Sequence, residues 1–230
     1  MQFIFDHMAA FFGMTGVLLI FGMIQVRGTQ SASEAVINNI VYSEAVEFSE
    51  MLQIDLSNMR NQSQTDDAIA AGRFRGGTAY ECSITKAGDV TTVLTFPTLA
   101  DPYADYNASD PSAADAELVS YILTDSGETI TIPKGATTET VPLYTIARIV
   151  DSKTTGESAK FVTHFLVEFL SKGSAEFSDN SAACSPDLSK VRIELKMATG
   201  SVEYATQDQK STSHSNLSRF AATVDLPNMN

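Results

Sequence analysis

Apolar and polar positions divide this chain into three stretches with different periods. From Met8 to Val26 the sequence MAAFFGMTGVLLIFGMIQV has no charged residue. As a helix, this run spans about 28 Å at 1.5 Å per residue, close to the hydrocarbon thickness of a bilayer. The pattern therefore predicts a transmembrane helix. Residues 30–62 contain neither Pro nor Gly, and Ile37, Val41, Ala45, Phe48, Leu52, Leu56 and Met59 recur at steps of three and four. That spacing draws one apolar stripe along a helix, with Glu34, Glu44, Glu47 and Glu50 largely on other faces. Residues 63–79, with Gly72, Gly76 and Gly77, read as a linker.

Beyond residue 80 the period changes to two. Strands are predicted at 80–86, 90–96, 118–124, 128–132, 143–150, 160–170, 189–197, 201–206 and 219–226. Turns are predicted at Lys86-Ala-Gly-Asp89, Asp125-Ser-Gly127 and Thr199-Gly200. Val191, Ile193, Leu195 and Met197 alternate with Arg192, Glu194 and Lys196, the pattern of a half-buried strand. The expected fold is α+β: a long N-terminal transmembrane and amphipathic α-helix over 1–62, then a linker, then an antiparallel β-rich domain over 80–230.

Charge and cysteine usage refine this picture. The chain has 28 acidic and 15 basic residues and a formal charge of −13, which gives it no general attraction for nucleic acid or anionic lipid. Its two cysteines, Cys82 and Cys184, lie far apart and form no CxxC. An even count in an exported domain reads as one disulfide. Such a bridge would close a loop of about 100 residues, worth roughly 4 to 5 kcal/mol in the chain-entropy account. The competing reading is two buried thiols. Arg27 after the apolar run favours a cytoplasmic C-terminal side, whereas the disulfide favours a periplasmic or extracellular one. The disulfide outweighs a single charge, so the C-terminal domain is expected to be periplasmic or extracellular. A cleaved signal peptide ending near Ser31-Ala32-Ser33 competes with the anchor, but residues 1–7 lack Lys and Arg.

No catalytic constellation is visible. His7, His164 and His214 are the histidines, and HExxH, GxSxG and P-loop motifs are absent. The expectation is a protein without enzymatic activity. The segment from Asp101 to Glu117 offers carboxylates of the kind Ca²⁺ takes, but without EF-hand spacing. It is expected to be a solvated acidic loop rather than a calcium site, and no metal or cofactor is assigned. Asn61, Asn107 and Asn216 each begin a glycosylation sequon.

Three stretches also carry a family resemblance: Glu50-Met-Leu-Gln-Ile-Asp55-Leu56, Leu188-Ser-Lys-Val191-Arg192-Ile193-Glu-Leu195, and Arg219-Phe220-Ala-Ala-Thr-Val224-Asp-Leu226-Pro-Asn228. In this order, behind an apolar helix, they resemble the type IV pilin-like proteins, in particular the minor pilins and pseudopilins of the PilW and GspJ kind. The basic leader of that family is absent here. The resemblance implies a pilin-like domain and a structural subunit, anchored in the membrane, that joins a pilus, pseudopilus or related filament through its N-terminal helix. It implies assembly roles for Asp6, as the acid near the N-terminus, and for Ile37, Val41, Phe48, Leu52 and Leu56. Its partners would be other pilin-like subunits. The alternative is a stand-alone single-pass envelope or virion membrane protein. In that case the amphipathic helix packs on its own β-domain, and the loops at 97–117 and 172–188 bind a partner.

Overall fold

The structure is a computed structural model that describes residues 2–101, 115–134, 137–178, 188–199 and 216–226, with the side chains of some of these left aside. The elements in chain order are α1 (Gln2–Ser57), α2 (Gln62–Ala70), β1 (Phe74–Arg75), β2 (Ser83–Ala87), β3 (Val90–Leu99), β4 (Ala116–Lys134), β5 (Thr137–Val150), β6 (Lys153–Ser171), β7 (Leu188–Thr199) and β8 (Asn216–Asp225). The chain divides into two compact units, Met1–Ile40 and Val41–Asn230, with α1 running through the boundary.

The first unit is helix alone. Every large apolar side chain from Met14 to Val26 is more than half exposed. The expected transmembrane element is corrected here: among the described residues, no helix is long and apolar enough to cross a membrane. From Met14 onward the apolar run is diluted by Thr15, Gln25 and Arg27 and ends in Thr29-Gln30-Ser31. It falls well short of the ~20 apolar residues that a bilayer requires. The α+β arrangement with a membrane helix and a pilin-like domain therefore gives way to a fold dominated by one antiparallel sheet.

In the second unit, Val41, Phe48, Leu52 and Leu56 are buried along one side of α1, and Met59, just past its end, is buried with them. The sheet runs in the order β2-β3-β4-β5-β6-β7-β8, antiparallel throughout, with the short β1 added parallel to β4. Alternation sorts its side chains. Leu94 and Phe96 of β3 lie opposite Tyr121 and Val119 of β4. Phe165, Val167 and Phe169 of β6 lie opposite Leu195, Ile193 and Val191 of β7. All of these belong to one core cluster with the α1 residues. On the other face of β6–β8, Glu168 takes Arg192, and Glu194 takes both Lys196 and Arg219.

Strand β6 serves two neighbours in turn. Its first half pairs with β5 up to Val162, and its second half pairs with β7 from Val162 onward. The handover sits at Phe161, whose φ of 58° is rare for an aromatic residue. Past it, the Val167 N–H donates to Thr91 Oγ1 of β3 at 3.1 Å, so the sheet folds back over its own core.

Two local expectations change. The linker contains α2, whose start is a capping box: Asn61 Oδ1 accepts from the Gln64 N–H at 2.9 Å, and Gln64 Oε1 accepts from the Asn61 N–H at 3.2 Å. Asp125-Ser-Gly127 is not a turn between two strands but a bulge within β4. There the register jumps from Asp125↔Tyr144 to Thr129↔Pro142, with Gly127 at φ +75°. The turn between β5 and β6, which the sequence reading did not place, is Asp151-Ser152, between Val150 and Lys153, with both residues at positive φ as a two-residue primed turn requires. The predicted strand at 201–206 lies outside the described residues.

Candidate functional site

The most concentrated polar chemistry lies where the end of α1 meets the sheet. Position 148 is the one inward charge in the apolar stretch Val141–Val150 of β5, and it stands opposite Tyr121 of β4. Arg148 Nε donates to Asp55 Oδ2 at 2.7 Å, Nη1 donates to Thr155 Oγ1 at 2.9 Å, and Nη2 donates to Glu117 Oε1. Tyr121 Oη donates to the same Asp55 Oδ2, and the Asp55 carbonyl accepts from Thr98 Oγ1 at 2.8 Å. Arg75 Nη2 approaches the outer oxygen of Glu117 at 3.7 Å. Asp55 and Glu117 are buried, and the Tyr121 ring is fully enclosed between Phe48, edge-on at 5.8 Å, and Phe96, stacked at 6.1 Å.

These groups satisfy one another, as buried charges must. Burial raises the Tyr121 hydroxyl well above its usual pKa, and the negative charge of Asp55 and the hydrogen bond to it add to that effect. Tyr121 is therefore a permanent donor. Burial alone would lower the Arg148 pKa, but its hydrogen bond to Asp55, that residue's charge and Glu117 outweigh it and hold the guanidinium charged. The arrangement is a clamp of helix on sheet.

Beside the clamp opens a solvent-facing cleft of about 490 Å³. Arg75, Glu117, Arg148, Asp151, Lys153 and Thr155 line it, with Gly76, Ala100 and Val150. Gly76 permits this closeness: at φ +78°, a Cβ there would meet the Leu118 carbonyl oxygen at 3.0 Å and the Asp151 nitrogen at 3.2 Å.

Among the residues expected to mediate assembly, Val41, Phe48, Leu52 and Leu56 are buried in the chain's own core and so offer no free surface. Asp6 and Ile37 lie in α1, but their side chains lie outside the described residues. Cys82 is disulfide-bonded, and Cys184, the chain's other cysteine, lies outside the described residues. So do residues 102–114 of the acidic segment and His214. Among the described residues no group of three or more His, Cys, Asp or Glu is placed to hold a metal. Sequence reasoning noted Asp55 only through the resemblance and missed Arg148 and Tyr121. The available signal was a lone arginine at an inward position of an apolar strand.

Comparison of the chain with protein-family models, with curated proteins and with solved structures finds no match.

His164, on β6 opposite Lys196, carries a pH dependence. Burial, then the charge of Lys196, lowers its pKa below 6.5, against the smaller opposite pull of Glu194 and Asp89. The unfolded chain then binds the proton more readily, so stability is full above pH 6.5 and falls as pH drops through that value. Urea midpoints measured between pH 7.5 and 5.5 are expected to decline less in His164→Gln than in the parent. Equal declines would exclude His164 as the cause.

Proposed function

We propose that this chain is a structural subunit that assembles with further copies or related chains through the N-terminal part of α1. The role is that of a filament or bundle component, as the pilin-like resemblance implied. The observation that carries this reading is the exposed run from Met14 to Val26, apolar on all sides of the helix. A helix that is apolar all round needs a covering partner, and an apolar patch of this extent is the usual mark of an interaction surface. Val41, Phe48, Leu52 and Leu56 anchor the helix to its own sheet, which leaves 14–26 as the part available to other chains. The disulfide at Cys82 supports a β-domain in an oxidising compartment outside the cytoplasm.

The test is sedimentation velocity of the full chain and of a Val17→Asp, Phe21→Asp variant. The parent is expected to form oligomers and the variant to remain monomeric with an unchanged urea midpoint. A parent that is monomeric at high concentration, or a variant that associates as the parent does, contradicts the proposal. A second reading, a stand-alone subunit that binds a partner through loops of its β-domain, draws support from the packing of the α1 stripe on its own sheet.

A further inference from the structure

We infer that the cleft beside the clamp receives the acidic side of α1 from a second copy of this chain. The inference rests on the assembly reading and adds a second contact to it. Copies that each carry −13 repel one another, so close packing of their β-domains needs points where acids of one meet cations of the next. The cleft is such a point. Its lining holds three cations, Arg75, Arg148 and Lys153, and two carboxylates, Glu117 and Asp151, with Asp55 balancing Arg148 from within the clamp. Arg148 is held by Asp55 and Glu117, so the cations open to an incoming group are the two on the rim. Lys153 is exposed and has no ion pair among the described residues. Arg75 is 63% exposed and touches Glu117 only at 3.7 Å.

The complementary surface lies on the same fold. Glu47 and Glu50 lie on faces of α1 turned away from Val41, Phe48 and Leu52, and the half-buried Glu44 stands between them and that stripe. Glu47 and Glu50 are exposed, and none of the three has an ion pair among the described residues. A side chain reaching in from this helix would meet the rim ammonium and guanidinium first and the Thr155 hydroxyl behind them.

The test uses full-length variants in sedimentation equilibrium at low salt. Arg75→Glu with Lys153→Glu is expected to weaken self-association about tenfold. Glu44→Lys with Glu47→Lys and Glu50→Lys should do the same, and an equimolar mixture of the two variants should recover the association of the parent. Lys160→Glu with Lys172→Glu, which shifts net charge by the same amount as the cleft variant, should associate as the parent does. Association that is indifferent to the cleft and helix reversals, or a mixture that recovers nothing, overturns this contact and leaves assembly through residues 14–26 standing. A monomeric parent overturns both.

Discussion

Arg148→Met is expected to destabilise the chain by about 3–5 kcal/mol, the usual cost of removing one partner from a buried ion pair. The substitution keeps much of the volume but leaves Asp55 and Glu117 buried without their shared guanidinium. Arg75 is too distant and too exposed to replace it. The urea midpoint should fall while the slope of the transition stays constant. The triple variant Arg148→Met, Asp55→Leu, Glu117→Met should recover much of the loss, because the penalty comes from stranded charge rather than from lost attraction. If Arg148→Met unfolds within about 1 kcal/mol of the parent, the network is an exposed surface pair in solution and not a clamp.

Phe48→Ala is expected to cost about 3–5 kcal/mol, as large-to-small changes of buried aromatics do. Phe48 is fully buried and edge-on to Tyr121. Its loss opens a cavity at the ring that donates to Asp55, so packing and clamp fail together. Equilibrium unfolding gives the magnitude. A double-mutant cycle with Tyr121→Phe should show coupling, because the two rings share one site. Additive effects would mean that Phe48 supports α1 independently of the clamp.

Where one principle decided the outcome, the sequence was legible. In β7, Val191, Ile193, Leu195 and Met197 face the core because a half-buried strand admits nothing else. Val41, Phe48, Leu52 and Leu56 of the α1 stripe are buried because their spacing allows one face only. Competing signals misled elsewhere. Glycines at 72, 76 and 77 suggested a linker, and the Asn61…Gln64 capping box ahead of them went unread. Asp125-Ser-Gly127 has the composition of a turn, yet Gly127 in the left-handed region serves a bulge equally well. The apolar run near the N-terminus suggested a bilayer by its composition, but from Met14 onward it is too short and too diluted. The site was the least legible part. Arg148 and Asp55 are 93 residues apart in the chain, and no local pattern reports a pairing at that range.

On the proposed assembly, residues 14–26 of one chain lie against another chain. A photo-crosslinking side chain placed at Phe21 tests it directly in the assembled protein. Chain-to-chain products are expected, with attachment points that map to the same helical segment of the neighbour, and they should be lost when Val17→Asp is added. Products confined to single chains, or attachment only to detergent or lipid, would contradict it.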